Sequence, residues 1–435
     1  MKKFLLVLVV VMGSLFLASC ENEDQGDKIL IDFWHMSPVG SASYSGMKAI
    51  INEFNESQDE YFVKGTGFSF WDYWDKINIA ISSRTAPDLG LSTIDDVESR
   101  AESGVLYNVS DLMDQDTTGI NTLDLSEFRQ SQKDFATYQG DLYAMPFSAT
   151  TRALYYNLDM FTELGLDASD VPTTWEELQT VAKLFDETDS SNNVTRIGFD
   201  PTYGNATFHG WLWQKGLDFF DENKMPVLSS PAHVEVLNWI INFNSDFTRN
   251  QLTAFGEGNQ MLGLNPFASE RVAMIVEVDG LYQIIKDAGA DFNYGVAPIP
   301  IPEGGTHVNW GSGFSLEMYD NGKNDTASKL GSYEFFKFLL SKDIQKELAE
   351  VNGWIMSHIT AMEEFVVGNP IMTALLAEVD DAVDKVYIPY APSWHGNDWQ
   401  PFYQQALAGT MTPADALAGA QDWYLQKKQN YDATH

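Results

Sequence analysis

Five aromatic side chains fall within seven positions of the stretch FSFWDYWDKI near the start of the chain. They are Phe68, Phe70, Trp71, Tyr73 and Trp74, a density far above the 13% of aromatic residues in the whole chain. Rings held at the edge of a cleft can cover the apolar C–H face of a sugar ring or the charge of a cation. Rings packed in a core can do neither, so the helical period of this stretch decides its chemistry.

Helical spacing places Trp74 on one stripe with Ile77 and Ile81, which predicts that Trp74 faces the core. The residues before it follow a predicted strand, and open α/β sheets bind ligands at the carboxyl ends of their strands. The candidate ligand contacts in this stretch are therefore Phe70, Trp71 and Tyr73. Packing in the core or at its rim remains the alternative for each of them.

Carboxylates follow two other predicted strands. Asp95 lies in LSTIDD, just after the strand predicted at 89–92, and its carboxylate could accept hydrogen bonds from ligand hydroxyls. Thr93 could equally cap a helix whose first turn favours acids. Asp279 follows a buried strand and precedes Gly280, which opens a helix, so Asp279 faces either solvent or a site.

Further candidates lie in predicted loops and at strand ends. Trp310 precedes Gly311, whose missing side chain lets a ligand approach the backbone. A single tryptophan is more often packed in a core than exposed, yet the 12 tryptophans of the chain predict several in a cleft. The remaining candidates for ligand contact are His35, Thr150, Arg152, Tyr203, Trp211, Trp354 and Trp394.

Signatures of metal sites and of catalytic nucleophiles are missing from the sequence. The seven histidines form no H-E-x-x-H motif, and the chain has no G-x-x-x-x-G-K-[ST] or G-x-S-x-G. We therefore predict no metal, no cofactor and no catalytic residue. Carboxylates are plentiful in so acidic a chain and do not by themselves indicate a glycosidase.

The charge balance excludes one large class of partners. The chain has 26 basic and 62 acidic residues, a formal net charge of −36. Such a surface repels nucleic acid and anionic lipid head groups, so we predict no nucleic-acid partner. A length of 435 residues with 44% hydrophobic content indicates a soluble globular protein of two or three domains.

The N-terminus, MKKFLLVLVVVMGSLFLASC, has a basic start and an apolar run too short to span a membrane comfortably. It predicts an export signal at 1–19. Leu17 to Cys20 resembles the lipobox of bacterial lipoproteins, in which the cysteine receives a diacylglycerol. Cys20 is the only cysteine of the chain, and the acidic residues 20–27 predict a flexible tether. We expect the lipid to be the only membrane contact. It would hold the protein on the extracytoplasmic face of the cell membrane, either at a Gram-positive surface or in a periplasm.

Strands and helices alternate along the first part of the mature chain. Apolar runs predict strands at 28–34, 61–67 and 89–92, and helical periods separate them at 46–57 and 71–83. Strands that alternate with helices predict a mostly parallel sheet covered on both faces.

A family resemblance appears in GDLYAMPFSATTRALYYNLDMF (140–161) and in the following PTTWEEL. Gly140 makes a turn between two strands, and Thr174 with Glu177 forms a capping box. The segments resemble extracellular solute-binding proteins of carbohydrate ABC transporters, the maltose-binding-protein-like family 1, and similar segments follow in the same order over nearly all of the mature chain.

The resemblance implies an α/β fold of two lobes, each a mostly parallel sheet flanked by helices, with the ligand in the cleft between them. It implies lobe 1 at 28–147 and 298–341, lobe 2 at 151–294 and 345–435, and hinges near 147–151, 294–298 and 340–346. It also supports Asp95 as a ligand contact. At Thr150 the family has an acid that this chain lacks, so the neighbours Thr151 and Arg152 could serve instead.

The resemblance implies a monomeric binding protein, not an enzyme, that captures a sugar, most simply an oligosaccharide. It would deliver this sugar to the permease subunits of an ABC importer. Two alternatives remain. The same fold could bind a cation such as a polyamine through carboxylates and cation–π contacts, or the chain could be a secreted carbohydrate-active enzyme.

Overall fold

The computed structural model describes residues 26–116, 122–262, 265–311, 313–323, 325–383 and 385–434. The signal peptide predicted at 1–19 and Cys20 lie outside the described residues. Among the helices that the structure describes, none combines the length and the apolar composition needed to cross a membrane.

The described residues contain fourteen strands. These are β1 (Ile29–His35), β2 (Tyr61–Gly67), β3 (Leu89–Thr93), β4 (Thr137–Tyr138), β5 (Asp141–Leu142), β6 (Ala144–Pro146), β7 (Arg152–Asn157), β8 (Glu187–Thr188), β9 (Val194–Arg196), β10 (Met274–Val278), β11 (Tyr294–Ala297), β12 (Asn309–Trp310), β13 (Phe314–Met318) and β14 (Ala382–Val383).

The described residues also contain seventeen α-helices. They are α1 (Ala42–Ser57), α2 (Phe70–Ser82), α3 (Val97–Glu102), α4 (Val109–Gln115), α5 (Gln130–Phe135), α6 (Leu158–Glu163), α7 (Trp175–Ala182), α8 (Phe208–Gln214), α9 (Pro231–Asn242), α10 (Arg249–Leu262), α11 (Leu281–Asp287), α12 (Thr326–Leu339), α13 (Lys342–Asn352), α14 (Ile359–Phe365), α15 (Pro370–Ala377), α16 (Gln400–Leu407) and α17 (Pro413–Asp432). Shorter helical turns lie at Ile94–Asp96, Leu125–Glu127, Ala168–Asp170 and Lys183–Phe185, with a π-helical turn at Trp394–Asp398.

Lobe 1 is built on a five-stranded sheet of order β2-β1-β3-β13-β6. β1 runs parallel to β2 and β3, whereas β13 runs antiparallel to β3 and β6. The strands and helices predicted between residues 28 and 92 are confirmed to within a few residues at each end. Their pattern is readable locally because alternating apolar residues such as Ile31 and Phe33 are fully buried.

Lobe 2 is built on a three-stranded sheet of order β10-β7-β11, and both of its pairs are antiparallel. The prediction of a mostly parallel sheet is therefore wrong for this lobe. The reason is that β7 leads away from lobe 1, while β10 and β11 both run back toward it. Every residue of β7 is buried, because Tyr155 faces one hydrophobic cluster and Leu154 and Tyr156 face the other.

The chain passes from lobe 1 to lobe 2 between β6 and β7 and returns between β12 and β13. A return near 294–298 was expected, but β11 occupies 294–297 and pairs along β7. The third connection was expected near 340–346, where the structure has α13 packed on α1 of lobe 1. This connection takes residues 354–369, because α14 still packs on α13 of lobe 1 and α15 packs on β11 of lobe 2. It pairs with the first connection, in which the Ala149 N–H donates to the Ile355 carbonyl at 2.8 Å.

Two local features read from the sequence are confirmed. Gly140 has a φ of +97° in the tight turn between β4 and β5, a conformation that favours glycine. Thr174 and Glu177 form a capping box at the start of α7, in which each side chain accepts from the other residue's backbone N–H. Both features depend only on neighbouring residues, which is why the sequence predicts them.

Removing this cap is expected to cost about 1 kcal/mol of stability, because Thr174→Ala leaves a helix N–H without its acceptor. Thr180→Ala is the matched control, since the Thr180 hydroxyl only donates to the Glu176 carbonyl inside the same helix. Chemical denaturation of both variants measures the difference. Equal stability of the two variants would show that the capping box contributes nothing.

Candidate ligand-binding site

An aromatic cluster lies where lobe 1 meets the third connection. We define the aromatic cluster as Phe70, Trp71, Trp74, Phe314 and Trp354. Ring centroids are 5.2 Å apart for Phe70 and Trp71, 5.8 Å for Trp74 and Phe314, and 5.2 Å for Phe314 and Trp354. Trp71 is 78% exposed and Phe70 is 41% exposed, so these rings keep free faces. Large aromatic surfaces left exposed on a soluble protein commonly mark a binding site.

Helix α2 buries Tyr73, whereas the sequence predicted that Trp74 would face the core. Tyr73 is fully buried, and its hydroxyl donates to the Leu91 carbonyl at 2.6 Å and accepts from the Leu91 N–H at 2.7 Å. Trp74 is only half-buried and belongs to the aromatic cluster. The buried stripe is Tyr73, Ile77, Ala80 and Ile81, which places Trp74 on its flank. Tyr73 is thus a core residue and not a ligand contact.

A polar network lies at the end of the lobe 2 sheet. We define the polar network as Arg152, Asn205, Glu277 and Trp310. Arg152 Nη1 donates to the Trp310 carbonyl at 2.6 Å, and Asn205 Nδ2 donates to Glu277 Oε2 at 2.6 Å. The Trp310 indole N–H donates to the Asn205 carbonyl at 2.9 Å. Burial raises the pKa of Glu277, although the Asn205 hydrogen bond and the Arg152 charge oppose this rise.

Asp279 holds the third connection against lobe 2. It is 1% exposed, and its Oδ2 accepts from the Ile355 N–H at 2.6 Å. Burial raises the pKa of Asp279 to about 7. The carboxyl therefore acts on the backbone of the connection and is enclosed by protein.

Asp95 forms an ion pair that bridges the two lobes. Its Oδ2 lies 2.7 Å from Lys385 Nζ, which follows β14 in lobe 2 and lies 3.2 Å from His395 Nε2. Burial alone would raise the pKa of Asp95, but the Lys385 ammonium outweighs it and lowers this pKa. Burial and the Lys385 charge together lower the pKa of His395 to about 4. We call Asp95 and Lys385 the interlobe ion pair.

Sequence reasoning did not single out Lys385 or Asn205 as site residues. A lone lysine before VYIPY carries no motif, and its partner Asp95 is remote in sequence. Asn205 follows Gly204, whose φ of +64° marks a tight turn close to the Val276 carbonyl. The glycine is the only local signal that this loop folds back on the sheet.

Residues 49–364 match the family model of the bacterial extracellular solute-binding proteins, which spans well over half of the chain. The chain belongs to this family. The sn-glycerol-3-phosphate-binding periplasmic protein of Agrobacterium fabrum is 27% identical over 352 residues, covering 77% of this chain and 75% of that protein. The corresponding protein of Rhizobium meliloti is 25% identical over 380 residues, covering 82% of this chain and 80% of that protein.

Solved structures share the fold of this solute-binding protein. CpMnBP1 with mannotriose bound has a TM-score of 0.77 at 20% identity, covering 91% of this chain and 100% of that chain. Lmo0181 of Listeria monocytogenes, in complex with cycloalternan, has a TM-score of 0.76 at 20% identity, covering 93% of this chain and 100% of that chain. The GacH receptor of Streptomyces glaucescens has a TM-score of 0.71 at 23% identity, covering 92% of this chain and 98% of that chain. The predicted two-lobe α/β fold is thereby confirmed.

Other candidate contacts of this solute-binding protein are spread around the site. Thr150 and Gly311 lie in the first and second connections and line a cavity of about 240 Å³ with Gln132 and Phe135. Tyr203 is half-buried beside the polar network, and its ring stacks on Phe255 at 6.2 Å. The structure thus brings Phe70, Trp71 and Trp354 together and brings Arg152 to Trp310, whose side chain is only 2% exposed, while Thr150 and Gly311 line the small cavity.

Besides Trp310, three candidates occupy the cores of the lobes. His35 is 1% exposed, lies 5.6 Å from the Phe33 ring, and has its pKa lowered to about 4 by burial. Trp211 has no exposed surface, and its indole donates to the Pro201 carbonyl. Trp394 is 1% exposed, and its indole donates to the Val386 carbonyl. These side chains support the lobes and present no surface to a ligand in this structure.

Metal binding gains no support from the part of the chain that the structure describes. It contains no group of three or more His, Cys, Asp or Glu side chains that could hold a metal ion.

Proposed function

We propose that this solute-binding protein captures a neutral oligosaccharide between its lobes and delivers it to the permease of an ABC importer. The observation that carries the proposal is the aromatic cluster, which exposes ring faces on lobe 1, and the polar network at the end of the lobe 2 sheet supports it. A pyranose ring has an apolar C–H face, which the aromatic rings can cover. It also has hydroxyls at its rim, which the polar side chains can bind.

The charges around the site favour a neutral ligand. Asp95 is paired with Lys385 at 2.7 Å, and Arg152 shares the polar network with Glu277. A polyamine would need carboxylates that lack a cation, and a phosphate ester would need cations that lack a carboxylate. Sugar hydroxyls instead donate to and accept from paired groups without leaving a charge uncompensated.

The solutes named for similar proteins are rich in hydroxyl groups. Mannotriose, cycloalternan and acarbose occur with the structural neighbours, and sn-glycerol 3-phosphate is named for the relatives. The first three support an oligosaccharide, while the last makes a phosphorylated polyol the alternative to test. The ligand panel should therefore contain both, together with spermidine.

The test is a thermal-shift screen of the mature chain against manno-, malto-, xylo- and cello-oligosaccharides, sn-glycerol 3-phosphate and spermidine, followed by calorimetric titration. A neutral sugar should bind with an affinity that hardly changes with salt, whereas a cation or an anion should lose affinity as salt rises. Binding of spermidine or sn-glycerol 3-phosphate alone would contradict the proposal. Release of reducing ends during the titration would instead indicate an enzyme.

Trp71→Ala is expected to weaken binding of the oligosaccharide that the screen identifies by about tenfold to a hundredfold, which equals a loss of about 1.5–3 kcal/mol. The melting temperature should hardly change, because the Trp71 side chain is 78% exposed. Trp423→Ala is the matched control, since Trp423 is also exposed, at 46%, and lies on α17 away from the aromatic cluster. Equal titration curves for the two variants would show that Trp71 is not a stacking platform.

We also propose that Cys20 carries a lipid that anchors the mature monomer to the outer face of the cell membrane. The support is the lipobox-like LASC and the lone cysteine. Cys20→Ala should leave the precursor without lipid, and labelling with radioactive palmitate measures this. Undiminished labelling of the variant would contradict the anchor.

A further inference from the structure

A large cavity lies between the lobes and shares no lining residue with the small cavity at Thr150. It measures about 930 Å³ and has walls from both lobes. Lobe 1 contributes side chains of α2 and α3, and lobe 2 contributes the turn at 392–397. Ligand pockets commonly measure about 300–1,000 Å³, so this cavity is large enough for more than a bound water cluster.

The described lining of this cavity suits hydrogen bonding rather than stacking. Its polar members include Asn78, Ser82 and Ser99 from lobe 1 and Ser393, His395 and Asn397 from lobe 2. The Arg100 guanidinium, which also lines the cavity, is bound to Glu317 at 2.6 Å. The lining therefore offers hydroxyl and amide groups. Of its two guanidinium groups, that of Arg100 is compensated by Glu317, and that of Arg84 donates to the Ser103 and Gly104 carbonyls at 3.5 and 3.4 Å.

The cavity continues the surface of the aromatic cluster. Asn78 lies four residues after Trp74 on α2, so the two side chains share one face of the helix. A chain of sugar rings that leaves the aromatic cluster along this face reaches the cavity directly.

Two buried polar atoms beside the cavity lack a hydrogen-bond partner within the described part of the chain. They are His395 Nδ1, on the lobe 2 wall, and Asp95 Oδ1, in the interlobe ion pair next to it. Asp95 is 9% exposed, and a buried acceptor without a partner is costly. His395 also precedes Gly396, whose φ of −103° and ψ of −110° break the helical geometry of this turn.

We propose that this cavity is an additional subsite of the cleft that binds the outer sugar residues of an oligosaccharide too long for the aromatic cluster alone. The inference rests on the proposed function and adds to it a preference for chain length. The outer residues are held by hydrogen bonds to both lobes, whereas the inner residues stack on rings.

Ser82→Trp tests the subsite, because a ring at this position fills the cavity. Ser83→Trp is the matched control, since Ser83 does not line the cavity. The Ser82 hydroxyl donates to the Asn78 carbonyl at 2.7 Å, and the Ser83 hydroxyl donates to the Ile79 carbonyl at 2.8 Å and lies 2.9 Å from the Thr85 hydroxyl. Each variant is titrated with the di- to hexasaccharides of the series that binds best in the panel above.

Ser82→Trp is expected to weaken binding of the longest oligosaccharides at least tenfold and to leave the disaccharide unchanged, while Ser83→Trp changes neither. An unchanged affinity for all lengths would overturn the subsite but leave the proposed function intact. Failure of the wild-type protein to bind any oligosaccharide would overturn both. If Ser82→Trp does not fold, Asn397→Ala on the opposite wall decides, because it should show the same dependence on length with a smaller loss.

Discussion

Lys385→Met is expected to weaken ligand binding about a hundredfold while the melting temperature stays nearly constant. The variant leaves the Asp95 carboxylate, 7% exposed in its side chain, without a cation between the lobes. Removing one partner of a buried ion pair costs about 3–5 kcal/mol because the remaining charge is uncompensated. About 3 kcal/mol corresponds to somewhat more than a hundredfold in affinity.

The Lys385→Met substitution should raise the free energy of the closed lobes and leave the free energy of unfolding nearly unchanged. Asp95 belongs to lobe 1 and Lys385 to lobe 2, so separating the lobes hydrates the carboxylate without disturbing either core. Small-angle scattering should therefore show a larger radius of gyration for Lys385→Met than for wild type when ligand is present. A ligand that binds only the closed protein has an apparent affinity proportional to the closed fraction. When the substitution lowers this fraction, the affinity falls by the same factor.

Lys427→Met is the control, because Lys427 pairs with Asp398 at 2.6 Å within lobe 2. It should reduce stability without changing affinity. The double variant Lys385→Met with Asp95→Asn should recover part of the affinity, since it removes the buried charge. A Lys385→Met variant that binds normally would show that the interlobe ion pair plays no part in closure.

Asp279→Asn is expected to stabilise the protein by about 2–4 kcal/mol at pH 8 and by little at pH 4. Burial raises the pKa of Asp279 to about 7 in the folded protein, above its ordinary value of 3.8. Between these values the folded state holds a proton that the unfolded state has lost. The stability of the wild type must therefore fall as pH rises through this window, and asparagine removes that contribution.

The substitution preserves the contact that positions the third connection. The asparagine Oδ1 can accept from the Ile355 N–H as Asp279 Oδ2 does at 2.6 Å. Asp159→Asn is the control, because Asp159 accepts from the Asn293 N–H at 2.9 Å on the surface. Denaturation curves from pH 4 to pH 8 compare both variants with wild type. A difference between Asp279→Asn and wild type that does not grow with pH would contradict a protonated Asp279.

The sequence alone determined the features that depend on neighbouring residues. The strands and helices between 28 and 92, the turn at Gly140 and the capping box of Thr174 with Glu177 all follow from local periodicity and backbone geometry. The order of the family segments also indicated the two-lobe fold. Such patterns are readable because each residue constrains positions only a few steps away.

Only the tertiary structure decided which side chains of those elements face the site. One step along a helix turns a side chain by about 100°, so a small shift of the buried stripe exchanges Tyr73 for Trp74. The partner of Asp95 is Lys385, which no local pattern joins to it. His35, Trp211 and Trp394 became core residues for the same reason. The burial of a ring and the partner of a charge are set by segments remote in the chain, and only their packing brings those segments together.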